Sequence, residues 1–371
     1  MDAATTEKDI AAGLSPLEKA NAAKILAYEK SMGSQPGEPP VVFTLDRNLY
    51  RVAADGSQAV QLTATGNYTV ADYLRGKGKS SASEPLQTPK ADEGYPGGDV
   101  VSIDVRTGRS TLLLPASASE VLSDGSIPGF DLALGSPDGK NPVAGEPNPY
   151  VPGDKLYVAA ADGSHLVRLS TRLAGGVSVN PDGSGLAFEN QRSDVGPVTI
   201  YDLPWDGSPV PLLPLTDQGL WAGGYAWRPD GQGIAFAGST DNLQGPAQSA
   251  NNGIYLVTTG GQVTPLWNLP PVRVSALHWL GTDRLSFVTV LPAGGPSAGG
   301  LATVYTYDIR AGRLATVMSF PAQDLWTKLV AWNPDNTAFV FRRDGSLWLR
   351  DLSTGQEKQL PGTEGAESSA W

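Results

Sequence analysis

Few residues in this sequence have the type and spacing that chemistry demands. Gly295-Pro296-Ser297-Ala298-Gly299 fits the G-x-S-x-G pattern of a serine nucleophile. That motif works on a sharp strand-to-helix turn, which exposes the hydroxyl to a base and an oxyanion hole. Here it lies in a glycine-rich stretch, Pro292 to Gly300, between two strand-like runs. The two histidines, His165 and His278, fall in a hairpin and a strand pattern, and neither is placed as its partner. No cysteine is present, which removes disulfides, thiol catalysis and thiolate metal sites. Two histidines are too few for a histidine-rich metal centre. Oxygen ligands for Ca²⁺ are plentiful, yet no D-x-[DN]-x-[DN]-G spacing occurs, and the Asp-Gly pairs have a turn role of their own. No catalytic residue, metal ligand or cofactor is assigned, and Ca²⁺ is the one ion left open. His278, beside Trp279, either packs within the structure or lines a central channel.

What remains is recognition. Trp221 and Trp326 occupy corresponding positions in two repeats, as packing residues between sheets or as aromatic anchors at a binding mouth. Tyr95, Tyr150 and Arg192 lie in long connections and suit adaptable contacts. Arg75-Gly76-Lys77-Gly78-Lys79 is a small basic cluster, either a solvated loop or a positive tip for an acidic partner. Against it stands a net charge of −11, from 27 basic and 38 acidic residues. That balance argues against an electrostatic grip on DNA, RNA or anionic lipid. No apolar run reaches the length of a membrane-spanning helix. The partner class expected is a protein or peptide.

The elements that must hold these residues are short strands. Among 371 residues, 44 Gly and 30 Pro accompany only 18% charged residues, too apolar for disorder and too rich in turns for a helical bundle. From Val41 onward a unit recurs, in which an alternating apolar run meets an Asp-Gly or Thr-Gly turn and resumes as a second strand. It ends at Gly56, Gly108, Gly163, Gly207, Gly261, Gly312 and Gly355. Such turns favour glycine because they need positive φ. The mean spacing of about 50 residues lies in the range of propeller repeats.

A second hairpin precedes several of these. Val179-Asn180-Pro181-Asp182-Gly183 leads to Leu186-Ala187-Phe188, and Ala226-Trp227-Arg228-Pro229-Asp230-Gly231 to Ile234-Ala235-Phe236. Ala331-Trp332-Asn333-Pro334-Asp335-Asn336 leads to Ala338-Phe339, and His278-Trp279-Leu280-Gly281-Thr282-Asp283 to Leu285-Ser286-Phe287. Proline presets φ at the first turn position, and a following Gly or Asn accepts the left-handed one. Two hairpins per repeat give four antiparallel strands, here called a to d. Seven repeats predict an all-β, seven-bladed β-propeller, or a six-bladed one if the second and third repeats merge. In those two, Asp72 to Gly98 and Gly125 to Asp154, the Pro-Asp-Gly hairpin is missing from its usual place, and Ser136-Pro137-Asp138-Gly139 follows Leu132-Ala133-Leu134.

The pattern Trp-x-Pro-Asp-Gly, Ala-Phe, Tyr, Asp-Gly, Leu-Thr resembles the TolB-like, WD-repeat-related propellers of bacteria, over residues 41–371. The resemblance implies an extracytoplasmic setting and a non-enzymatic binding or scaffold role. No export signal is visible, so any signal or membrane anchor would lie outside this sequence. Ser368-Ser369-Ala370-Trp371 matches the start of strand a, whereas the first repeat begins at strand b with Val41-Val42-Phe43. The C-terminal strand is therefore expected to complete the first blade and close the ring.

Residues 1–40 form a separate segment. Ser15-Pro16-Leu17-Glu18 reads as a capping box for a helix running to about Met32, followed by a Pro/Gly linker. Its stripe of Leu17, Ile25, Tyr28 and Met32 wants a partner surface.

Strand order places the a–b and c–d turns at one end of every blade and the b–c connections at the other. The latter are expected to be long at Gly76 to Gly98, Gly135 to Asp154, Asn190 to Pro197, Gly238 to Gly253 and Pro292 to Gly300. Long loops on a rigid scaffold are where binding concentrates. The expected function is partner docking at that end, with a small-molecule or glycan site in the central channel, in one form a metal-assisted lyase or hydrolase, as the alternative.

Overall fold

The structure is a computed structural model that describes residues 16, 19, 20, 23, 40–46, 48–57, 59–63, 69–74, 79–85, 98–105, 108–118, 132–135, 142–146, 155–158, 167–168, 175–191, 198–204, 210–213, 221–239, 251–292, 300–322, 330–366 and 368–371. Apart from helical Pro16, Lys19, Ala20 and Ala23 and a 3₁₀ turn at Ala116–Ala118, its regular structure is antiparallel strand. The stripe residues Leu17, Ile25, Tyr28 and Met32 lie outside the described residues.

The strands run β1 (Val41–Leu45), β2 (Asn48–Val52), β3 (Val60–Gln61), β4 (Thr69–Leu74), β5 (Lys79–Pro85), β6 (Gly98–Asp104), β7 (Ser110–Leu114), β8 (Leu132–Gly135), β9 (Pro142–Glu146), β10 (Lys155–Val158) and β11 (Val167–Arg168). They continue with β12 (Gly175–Val179), β13 (Gly185–Gln191), β14 (Val198–Pro204), β15 (Val210–Leu213), β16 (Trp221–Trp227), β17 (Gly233–Ser239), β18 (Asn251–Thr258) and β19 (Val263–Trp279). The last are β20 (Arg284–Pro292), β21 (Gly300–Asp308), β22 (Arg313–Ala322), β23 (Val330–Trp332), β24 (Ala338–Arg343), β25 (Ser346–Asp351), β26 (Glu357–Gln359) and β27 (Ser368–Ala370). Five sheets have four strands, ordered β27-β1-β2-β3, β4 to β7, β11-β10-β9-β8, β12 to β15 and β23 to β26. The sixth runs from β16 to β22 because β19, 17 residues long, pairs with β18 through its first half and β20 through its second.

The repeated hairpins are present where the structure describes them. Gly56, Gly108, Gly261, Gly312 and Gly355 all have positive φ between their third and fourth strands. Their detail differs from a two-residue turn. Gly56 N donates to Ala53 O at 2.8 Å and Ala53 N to Ser57 O at 3.0 Å, and Thr258 to Gln262 repeats this. Each is a three-residue loop in which a first turn is followed by a left-handed glycine. The Pro-Asp-Gly hairpins are four-residue loops. Asn180 N donates to Gly185 O at 2.9 Å, Arg228 N to Gly233 O at 2.8 Å and Asn333 N to Ala338 O at 3.0 Å.

Two expected strand assignments are corrected. Gly76 to Gly98 is not one long connection, because β5 fills Lys79–Pro85 and pairs with β4. Glycines stand in for proline there, so the hairpin lacks its usual signature. In the third repeat Leu132–Gly135 is the first strand and not the second, so Ser136-Pro137-Asp138-Gly139 falls between β8 and β9, the usual place for this motif. The apolar run before that turn fits either strand equally well.

The chain forms two compact units, Met1–Gly135 with Ala161–Gly163 and Ala331–Trp371, and Ser136–Ala160 with Ser164–Val330. In the first, β1 is buried on both faces, which explains its uninterrupted Val41-Val42-Phe43. Val41 and Phe43 pack with Val340, Leu347, Leu360 and Trp371, whereas Val42 packs with Leu49, Leu62, Val101 and Ile103. The expected pairing of the C-terminal strand is found, with Val42 opposite Ala370, Phe43 opposite Ser369 and Thr44 opposite Ser368. Thr63 and Thr363 hold matching positions, each accepting at 3.0 Å from the N–H of Leu49 or Leu347.

In the second unit the signature tryptophans link neighbouring strand groups. Trp227 Nε1 donates to Ser178 O at 3.0 Å, and Trp279 Nε1 to Ala226 O at 2.9 Å. Aromatic pairs recur between second and third strands, Phe236 on Tyr255 at 5.4 Å and Phe287 on Tyr305 at 5.3 Å, as does Phe43 on Tyr50 at 5.5 Å in the first unit. Fourth strands carry a bulge at one register, where Leu113, Leu212, Leu266 and Val317 are the extra residues. A bulge bends an exposed edge and blunts it against further pairing.

Candidate functional site

The end of the sheets where second strands meet third strands divides into two kinds. In the sheets of β1 and β25 it is closed tightly. Arg343 pairs with Ser346 across Asp344 and Gly345, both with positive φ, and Leu45 pairs with Asn48. Next to that tight turn the Arg343 guanidinium lies 3.8 Å over the Trp348 ring and 2.7 Å from Glu357 Oε2. In the second unit β20 and β21 run nine residues each, to Pro292 and from Gly300, and their ends outreach the core. There Leu291 stands directly opposite Leu301, and Leu301 opposite Pro321. The two leucines are 59% and 48% exposed, unlike Phe287 and Leu285 lower on the same face, which are buried. Thr303 and Ser319 hydroxyls hydrogen-bond at 2.9 Å just inside this row. The row is apolar with a hydroxyl border and lies next to the 293–299 connection.

A recess of about 350 Å³ runs along Pro265, Leu266, Trp267 and Asn268 at the start of β19. Trp267 is half-buried and tilts against Tyr307 at 5.6 Å. Neither recess nor row carries a described ionisable group with a shifted pKa. The shifted groups are at turns. Asp182 is lowered by the Ser184 hydroxyl and N–H, Asp230 by the Arg228 guanidinium, and Asp351 to about 2 by the Ser353 hydroxyl and Thr354 N–H. These carboxylates fold the turns, as the sequence suggested for the Asp-Gly pairs at Asp182 and Asp230. No group of three or more His, Cys, Asp or Glu converges among the described residues.

Of the expected contact residues, Trp221 opens β16 opposite Ser239. Trp326, Tyr95, Tyr150 and Arg192 lie outside the described residues, as do His165, Ser297 and the Arg75 to Gly78 part of the basic cluster. His278 is half-buried on β19, opposite Ser286. Ser297 falls between β20 and β21, so a strand follows it where a nucleophile elbow needs a helix. The leucine row was missed because alternation marks which face a residue takes, not how far its strand projects.

No sequence profile of a known family matches the chain, and no curated protein sequence does. Solved structures do match. TolB from Acinetobacter baumannii shares 14% identity over 93% of this chain and 70% of its own, with a TM-score of 0.50. Its fold is that of a TolB-like β-propeller. This propeller also resembles the tricorn protease, at 9% identity and a TM-score of 0.64 over 89% of the chain. It spans only about a third (34%) of that longer chain. An oligogalacturonate lyase in complex with manganese matches at 16% identity, a TM-score of 0.57, and 88% and 86% of the two chains. Such distant likeness is one of fold, shared by enzymes and others, and the site must be argued from its own residues. Among the described residues no helix of this propeller is long and apolar enough to cross a membrane.

Proposed function

We propose that the chain is a seven-bladed propeller, closed by β27 on β1, that binds a protein or peptide partner without catalysis in an extracytoplasmic setting. Counting β19 in both of its groups supports seven sets of four strands. The observation carrying the docking role is the exposed Leu291–Leu301–Pro321 row at the b–c end of β20 to β22. Trp221, Trp326, Tyr95, Tyr150 and Arg192 are further contacts in this reading, each placed by chain position at a b–c or d–a connection. The test compares material retained by the immobilised wild-type chain, a Leu291→Asp/Leu301→Asp variant and a Trp221→Ala/Trp326→Ala variant. One polypeptide lost from both variants supports the reading, and capture indifferent to both sets of changes removes it.

The lyase likeness favours a second reading, a glycan site in the central channel. Two histidines in the whole sequence limit any nitrogen-ligated metal there, leaving oxygen ligands as its basis. Calorimetric titration with oligogalacturonate, with and without Mn²⁺, separates the readings, because docking predicts no heat from either.

A further inference from the structure

Beyond the docking end, the outer edge of β22 differs from those of the other fourth strands. Those at β3, β7, β11, β15 and β26 are two to five residues long, whereas β22 has ten. The first part of β19, Val263–Val272, is as long but is interrupted by Pro265, Pro270 and Pro271. Among the described residues β22 ends its sheet, so one row of its backbone N–H and C=O groups has no described strand beside it. Native edges are guarded by shortness, bulges, proline or charge. On β22 the bulge at Val317 and the proline at Pro321 both guard its second half. The first half, Arg313 to Thr316, is regular, with Arg313, Ala315 and Thr316 exposed.

The rows that end on this half show what a further strand would meet. Arg284 lies opposite Asp308, and Asp308 opposite Arg313, so charge alternates across three strands and stops at an exposed guanidinium. Arg310, three positions before Arg313 and 80% exposed, is paired with Asp283 at 2.9 Å. The next row is Leu285, Tyr307 and Leu314, and the one after is Ser286, Thr306 and Ala315. A strand continuing these rows carries an acidic residue opposite Arg313, an apolar one opposite Leu314 and a small one opposite Ala315. Directly opposed charges and matched apolar pairs are the units of cross-strand stability.

We infer that the Arg313–Thr316 edge of β22 accepts an extended acidic–apolar segment of a protein partner as an added strand, a site separate from the leucine row. Main-chain hydrogen bonds supply the attachment and the alternating rows supply the choice of sequence.

The probe is a labelled eight-residue peptide alternating Val and Thr around one central Glu, titrated against the full chain by fluorescence anisotropy. Saturable binding is expected, weakened about fivefold when the peptide Glu becomes Lys. Arg313→Glu is expected to reverse that preference, while Leu301→Asp leaves it intact, which distinguishes this edge from the docking row. N-methylation of alternate peptide bonds abolishes binding if the backbone pairs. Binding that survives N-methylation on both alternations, or that ignores the charge at position 313, overturns the inference. So does sedimentation showing that the edge is already filled by a second copy, as a dimer dispersed by Arg313→Glu.

Discussion

The sheets around β1 and β25 and the sheet around β20 and β21 use the same strand plan for opposite ends. Near β1 and β25 the strands are five or six residues long, the b–c turns are tight, and exposed backbone is scarce. Aromatics there turn inward, as with Phe43, Phe339 and Phe341, all fully buried. Around β20 and β21 the same alternating faces continue for nine residues, past the depth at which neighbours cover them. Leu291 and Leu301 are exposed because their strands are long, with no change of pattern. Strand length beyond the packed layer, more than residue type, separates surface that seals the fold from surface available to a partner.

That contrast can be broken most severely at the seal. Removing residues 364–371 takes away β27 and Trp371, which is only 5% exposed. A loss above ~4 kcal/mol is expected, as for deletion of a buried tryptophan with its strand, and denaturant unfolding will measure it. An unchanged unfolding midpoint would show that β27 seals nothing. Within the second unit, Trp279→Ala is expected to cost ~3–4 kcal/mol. Trp279→Phe should cost only ~1 kcal/mol, by leaving Ala226 O without its indole donor.

Smaller effects separate turns that are packed from turns that are free. At Gly108 a Cβ would lie 2.3 Å from Leu62 O, whereas at Gly183 nothing comes within 4 Å, although both have positive φ. Gly108→Ala is therefore expected to cost ~2–3 kcal/mol, against ~1 kcal/mol for Gly183→Ala, which carries the left-handed strain alone. The Asp351 turn gives a pH signature. Its carboxyl, held at about 2 in the fold by Ser353 and Thr354, titrates near 3.9 when unfolded. Its contribution is present in full above pH 4 and fades as pH falls towards 2. Carboxyl NMR should find that low midpoint, and Ser353→Ala should raise it. Smallest of all, Leu291→Asp and Leu301→Asp should change stability by under ~0.5 kcal/mol each, as exposed positions do. A larger cost would mean that the row is core, and the comparison between the two regions would fail.

Much of this fold is legible in the residues. Glycines at 56, 108, 261, 312 and 355 mark hairpins because their positions need positive φ, and Ala370-Trp371 marks a strand because it repeats Ala331-Trp332. Asn180-Pro181-Asp182-Gly183 identifies its turn through proline and a left-handed glycine together. The β4–β5 hairpin could not be read this way, since Arg75-Gly76-Lys77-Gly78 specifies no single turn geometry. The indole bonds of Trp227 and Trp279 join residues about fifty positions apart and leave no local trace. The candidate site was the least legible part. Aromatic residues in loops drew attention by type, while the leucine row depends on register and projection that emerge only when three strands are aligned.

The pairing of Val42 with Ala370 has a consequence for how the chain reaches its native state. The strand β1 must stay unmatched along one side until residues more than three hundred positions later have been made. Contacts so distant in sequence slow the search for the native arrangement and prolong the lifetime of sticky intermediates. During that interval Val41-Val42-Phe43 is the segment most in need of shelter, and a chaperone that engages the nascent chain should be found there first.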